Sequence, residues 1–230
     1  MTLERDLKVI HIGKCGGSTV CDGVKRSDLI KEKFKKVEIF HMRKPIFSEN
    51  SHYLIIIRNP IDRAISAFNW RQKLVIEEKR QLHKNKMRRE KEIAVLNEYK
   101  YLNQLAEDLY LKNSRPDMTL LKRFQSIRHI RENISFYLKT LLKSINSNQI
   151  YGIIKQNELS SDCKKLIGDI AIGNKKYNKS KVPNDPSLYL SLKAKTNLRK
   201  FFIEDFNCIF TLRNLDALND EDFVNLINFY

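Results

Sequence analysis

The 230 residues carry 43 Lys+Arg against 27 Asp+Glu, a formal net charge of +16, and 42% of them are hydrophobic. That length and apolar content describe an ordinary folded domain and exclude a disordered segment. The charge points to anionic partners: nucleotides, nucleic acid, acidic polysaccharide or a membrane surface.

No apolar run approaches the ~20 residues of a membrane span. The four cysteines, Cys15, Cys21, Cys163 and Cys208, show no CxxC spacing and no companion histidines, so neither a zinc site nor a disulfide framework is indicated. Free thiols in a reducing compartment are the expectation. "MTLERDLKVI" is charged and runs straight into an apolar segment, which leaves no room for a signal peptide and predicts a soluble, cytoplasmic protein.

In chain order, Leu7 to Ile12 reads as a strand. The stretch "HIGKCGGSTV", His11 to Val20, follows it and holds three of the seven glycines in the protein. A strand, a Gly-rich turn and then Ser-Thr aim backbone N–H groups and a helix N-terminus at phosphate oxygens, so an anion site is expected there. Ser18 to Leu29 reads as a helix and Lys36 to Phe40 as a second strand. Tyr53 to Ile57 reads as a third and buried one, because "YLIII" has no polar alternation. "QIYGIIKQ" near residue 150 supplies a fourth. This order predicts an α/β fold: a central parallel β-sheet flanked by helices, ligands outside the carboxyl ends of its strands, and a helix-rich second half.

"RNPIDRAISAFNW" begins with helix signals, Asn59 as N-cap, Pro60 at the first helical position and Asp62 in the first turn. The helix is expected to run on through Arg71 to Lys91, where nine Lys/Arg (71, 73, 79, 80, 84, 86, 88, 89, 91) face three Glu (77, 78, 90). Such a run suits either a polyanion or a solvated helix face. A long basic helical segment of about 71–112 is thus an elaboration of a single domain spanning 1–230. Ile127, Ile130, Ile134, Tyr137 and Leu141 keep helical spacing within "LLKRFQSIRHIRENISFYLKTLLKSI". "NKKYNKSKVPNDPS" reads as an exposed loop and "LRKFFIEDFNCIFTL" as a closing amphipathic helix.

The glycine loop is not a Walker A loop, in which lysine directly precedes the Ser/Thr. Lys14 comes before Gly16 and Gly17, and "YLIII" ends in Arg58 where a magnesium-holding Asp is expected. A phosphate cradle without that acid, beside a cationic strand end, suits a nucleotide that carries a second phosphate and reacts without metal. The planar fork of Arg58 matches a phosphate.

These residues resemble the sulfotransferases that use 3'-phosphoadenosine 5'-phosphosulfate (PAPS). The family's first signature, a strand, a Lys-x-Gly-[Gly]-[Ser/Thr] loop and a helix, matches "HIGKCGGSTV". Its second, a strand ending in Arg-Asn-Pro with a serine eight residues after the arginine, matches "YLIIIRNPIDRAISAF" through Arg58 and Ser66. The matching region covers roughly residues 7 to 70 and looks most like the carbohydrate-modifying branch. Two positions depart from the pattern, Gly13 for a proline and Cys15 for Thr or Ser. The Gly-rich C-terminal motif of the small-molecule enzymes is missing.

The resemblance implies a P-loop NTPase-like sulfotransferase fold. It implies that Lys14, Cys15, Gly16, Gly17, Ser18 and Thr19 hold the 5'-phosphosulfate, that Lys14 neutralises charge on the leaving oxygen, and that Arg58 and Ser66 grip the 3'-phosphate. The products are a sulfated carbohydrate and adenosine 3',5'-bisphosphate, with no metal required. Transfer to a hydroxyl needs a base. His41, at the end of the strand between the two signatures, is the candidate, with His129 the runner-up. Arg43 and Arg128 are candidates to meet an anionic acceptor. The competing readings are a P-loop-like kinase and a nucleic-acid-binding module on the basic segment. The latter lacks a recognised reading motif, so no nucleic-acid partner is expected.

Overall fold

The computed structural model describes residues 5–80, 85–111, 113, 115–169 and 185–228. In chain order they form β1 (Asp6–His11), α1 (Gly17–Arg26), α2 (Asp28–Lys33), β2 (Val37–Phe40), β3 (Ser51–Ile57), α3 (Pro60–Arg71), α4 (Lys86–Glu98), α5 (Leu102–Asp108) and α6 (Met118–Phe124). There follow α7 (Ile134–Leu141), β4 (Ile150–Lys155), α8 (Leu159–Ile167), α9 (Leu192–Phe201), α10 (Ile203–Asn214) and α11 (Asp220–Ile227).

The sheet has the order β2-β1-β3-β4, and every neighbouring pair is parallel. Helices flank it, which makes the fold α/β. Tyr53 through Ile57 of β3 have no exposed surface, as the uninterrupted apolar run requires of an interior strand. Each such side chain contributes about 1.5–3 kcal/mol by leaving water. The chain passes from β1 to β2 on one side and then to β3 on the other. Open parallel sheets leave a ligand crevice at such a reversal, outside the carboxyl ends of the strands. The four expected strands are all present, with ends shifted by one or two residues.

The helices depart further from expectation. The helix expected over Ser18 to Leu29 is two helices, broken at Ser27. The Ser27 hydroxyl donates to the Ile167 carbonyl (2.6 Å) and accepts from the Ile30 N–H (3.1 Å), so it caps α2 while tying it to the end of α8. The basic helix is likewise interrupted. After Arg71 the chain forms one π-helical stretch, Gln72–Glu77, and Lys79 turns left-handed (φ 52°).

The periodic stretch around 127–141 is not one helix either. Its five apolar residues are buried as the spacing demanded, but His129 is left-handed (φ 68°) and α7 starts only at Ile134. The Asn133 side chain caps α7 by accepting from the Phe136 N–H (2.9 Å). The buried Asp205 carboxylate of α10 takes the N–H groups of Ile134 (3.1 Å) and Ser135 (2.8 Å). "LRKFFIEDFNCIFTL" divides at Phe202 into α9 and α10, and α11, not this segment, is the last described helix. Most of "NKKYNKSKVPNDPS" lies outside the described residues.

The chain divides into two compact units, the first within 1–60, 132–177 and 204–230, the second within 61–131 and 178–203. The first contains the sheet. The second is helical and contains the 71–112 segment. Its interior joins Phe124, Phe201 and Phe202 edge to face and holds a buried, two-pronged ion pair. Arg71 Nε and Nη2 each donate to the Glu92 carboxylate over 2.7 Å, and Glu92 also accepts from the Arg128 N–H (2.9 Å). No described helix is long and apolar enough to cross a membrane.

Candidate functional site

β1 ends at His11, and the chain turns through Gly13–Gly16 into α1. Two residues of the turn are left-handed, Lys14 (φ 71°) and Gly16 (φ 83°). Glycine adopts this conformation freely. Lysine does so at a cost of order 1–3 kcal/mol, a strain that gathers at ligand-binding turns. Gly16 occupies the N-cap of α1 without a side-chain cap bond, and no acidic residue stands in the first turn. The N–H groups of Gly17, Ser18 and Thr19 thus lie before the intrahelical ladder begins, at the positive end of the helix dipole. The Ser18 side chain is exposed and that of Thr19 half-buried, whereas Cys15 is buried, its Sγ 3.9 Å from the Gly13 carbonyl.

Arg58 follows β3 and reaches back to this turn, its Nη1 3.5 Å from the Lys14 carbonyl oxygen. Its Nε is buried and has no hydrogen-bond partner among the described residues. A buried guanidinium N–H left in that state is costly, and an anion between Arg58 and the turn would satisfy it. Burial, followed by the like charge of Arg58, lowers the Lys14 ammonium to about 8. Two cations held together in this way have a standing affinity for negative charge.

The base candidate adjoins the same turn. β1 and β2 pair with Ile10 opposite Phe40, so the next residues, His11 and His41, leave the sheet side by side. Their rings stack with centroids 4.0 Å apart and planes 22° apart. His41 Nδ1 lies 3.1 Å from the His11 carbonyl oxygen. A carbonyl can only accept, so Nδ1 carries the proton and Nε2 keeps the lone pair. Met42, left-handed at φ 59°, donates its N–H to the buried Tyr137 hydroxyl of α7 (3.0 Å), which pins the chain just past His41. The His41 side chain is exposed.

His11 is the residue that sequence reasoning missed. Its ring packs against Gly17, where an added Cβ would overlap it, and its Nδ1 lies 3.7 Å from Cys21 Sγ. Burial, and then the neighbouring His41, lower His11 to about 4. The signal was available in part: a glycine at the first helical position, where Ser, Asp or Pro is usual, implies a group that needs its space.

The structure thus brings Lys14, Cys15 to Thr19, Arg58 and His41 to the carboxyl ends of β1, β2 and β3. Asn59 serves the same end of β3. Its Nδ2 donates to the carbonyls of Leu226 (2.9 Å), in the last turn of α11, and of Asn228 (3.0 Å), just past it, a role the N-cap expectation did not include. Arg43 is on the first unit, but it is exposed and engaged: it donates to Glu38 (2.9 Å), and its guanidinium lies 4.4 Å over the Phe40 ring.

Ser66, Arg128 and His129 belong to the second unit. Ser66 is half-buried on α3. Arg128 and His129 have backbone roles there: the Arg128 N–H bonds Glu92, and the His129 carbonyl accepts from the fully buried Arg63. The basic run is only partly a solvated face. Arg71 is neutralised by Glu92, Arg88 Nε donates to the Ser126 carbonyl (3.1 Å), and Arg71, Lys79, Arg80 and Arg89 line a cavity of about 210 Å³ with Glu92. Among the described residues no group of three or more His, Cys, Asp or Glu side chains could hold a metal ion. No protein-family model, characterised protein or solved structure matches this chain.

Proposed function

We propose that the protein is a sulfotransferase that moves a sulfuryl group from PAPS to a hydroxyl of a carbohydrate acceptor, a polysaccharide or glycolipid. A chain of charge +16 suits an acceptor that is itself anionic. One observation carries this reading. Lys14 and Arg58, from turns after two adjacent parallel strands, meet at the sheet's reversal with a buried Arg58 N–H still to be satisfied. The donor set fits a nucleotide with phosphate at both ends of its ribose, through the N–H groups at the start of α1 at one end and a guanidinium fork at the other.

PAPS, when bound, supplies an activated sulfuryl group on a phosphate leaving group. The chain's own residues do the rest. Gly17, Ser18 and Thr19 hold the anionic end by their backbone N–H groups, and Arg58 binds the 3'-phosphate. The Lys14 ammonium donates to the oxygen that gains charge as the sulfuryl group departs, an interaction stronger in the transition state than before it. His41 Nε2 takes the proton of the acceptor hydroxyl while its Nδ1–H remains on the His11 carbonyl. No step in this scheme calls on a metal. Cys21, Cys163 and Cys208 are buried thiols whose pKa values are held near 11, 11 and 12 chiefly by burial.

The deciding experiment is calorimetry with adenosine 3',5'-bisphosphate beside AMP, ATP and Mg-ATP. Selective binding of the bisphosphate is expected without magnesium. Preference for Mg-ATP would replace this reading with a kinase.

A further inference from the structure

We propose that His11 is a positioning residue: its imidazole spaces the base His41 from the loop that holds the donor. The inference rests on the sulfotransferase reading above. The ring of His11 touches both parts of that machinery. One face stacks on His41 at 4.0 Å, and its Cδ2–Nε2 side fills the place a Cβ would take at Gly17, the first residue of α1. A shift of either part therefore has to move the other. The His41 side chain is exposed and its Nδ1 is hydrogen-bonded to the His11 carbonyl, and ring stacking on His11 adds a restraint on its χ angles.

A phenyl or imidazole ring would serve as a spacer, and the pair of histidines carries an obvious hazard, since two imidazolium rings at this distance repel. The surroundings remove it. The titratable groups that face His11 are His41 from the end of β2 and Cys21 from α1. Burial pushes the Cys21 thiol up to about 11 and holds His11 down to about 4, so both are uncharged near neutral pH. When His41 takes a proton during transfer, the ring beneath it is neutral. Its π-face then supports the imidazolium and does not oppose it.

The test uses His11→Phe, which keeps a ring in the stack, and His11→Ala, which removes it. In 15N-histidine spectra of the ligand-free protein, His41 should show the Nδ1–H tautomer in the wild type and in His11→Phe, and a tautomer average in His11→Ala. Turnover is followed with 35S-labelled PAPS and a panel of neutral and uronate-containing oligosaccharides. In His11→Ala, kcat should fall about ten- to a hundredfold, and in His11→Phe it should stay within about threefold of wild type. The bisphosphate dissociation constant, by calorimetry, should change less than about threefold in both.

Wild-type kcat in His11→Ala, or an unaltered His41 tautomer there, overturns the positioning role. So does loss of bisphosphate binding in both variants, which would make His11 a support of the loop alone. A His11→Phe variant as slow as His11→Ala, with bisphosphate binding intact, would assign chemistry to the ring nitrogens in place of spacing. A wild-type protein that binds no bisphosphate removes the donor site itself, an outcome that none of the variant comparisons can mimic.

Discussion

Two arginines, half-buried Arg58 in the first unit and buried Arg71 in the second, stand in opposite company. In the second unit, Arg71 is matched by Glu92 through two 2.7 Å hydrogen bonds. Arg63 donates to a backbone carbonyl and lies 5.5 Å from the Phe202 ring centroid. In the first unit, Arg58 forms no ion pair among the described residues. Its neighbour is another cation, Lys14, whose proton it helps to loosen. A cation matched by a carboxylate holds the fold. A cation kept beside its own kind is raised in energy by their repulsion, and an anion placed between the two would relieve it.

Four experiments bear on that contrast. The largest effect is expected at the proposed base: His41→Ala should lower turnover by about 10²–10⁴-fold while calorimetry finds bisphosphate binding intact. Full turnover in that variant would move the base elsewhere. Next comes the matched arginine. Glu92→Ala strands the Arg71 charge and should cost about 3–5 kcal/mol in urea unfolding. The double change Arg71→Met with Glu92→Leu should recover most of it.

The unmatched arginine should behave in the reverse way. Arg58→Ala should weaken bisphosphate binding by about 10–100-fold, in line with the loss of a charged hydrogen-bond pair, with no loss of stability in the same unfolding assay. A stability loss like that of Glu92→Ala would erase the distinction between the two units.

The smallest effect is a pH dependence. Lys14 loses its proton near 8 in the free protein, and a bound anion holds that proton on to higher pH. Below 8 the lysine is charged in both states and contributes no slope. Above 8, binding must take up a proton, so affinity should fall by up to about tenfold per pH unit. Calorimetry at pH 8.5 in buffers of different ionisation enthalpy measures the uptake directly, and Lys14→Arg should abolish it.

The parts of the fold that were legible in the sequence are those set by local chemistry. The strand at 53–57 could be read because its apolar run has no alternation, and the loop because glycines crowd behind a strand. Lys14 was legible because it sits in that glycine turn, and Arg58 and His41 because each directly follows a strand. The helix interruptions were not legible, because each is set by a partner far along the chain: the Ile167 carbonyl for Ser27, the Asp205 carboxylate for the start of α7. The 3.6-residue period through Ile127, Ile130 and Ile134 reported burial faithfully. It could not report that His129 turns left-handed between them. His11 escaped notice because Gly17 marks only that some group needs its space and not which one. Its importance comes from the β1–β2 register, which sets it beside a residue 30 positions later.

The bonds from Asn59 to the carbonyls of Leu226 and Asn228 span 167 and 169 positions. A chain emerging from the ribosome makes the glycine loop early and reaches Arg58 soon after. The residue next to that arginine cannot find its partners until nearly 170 further amino acids have been joined, and β4, which covers the open edge of β3, is also made late. The N-terminal segment therefore waits as an unfinished sheet with a bare strand edge. The anchoring of the chain beside Arg58 should therefore appear abruptly, once residues 226 to 228 have been joined, and not in step with the growing chain.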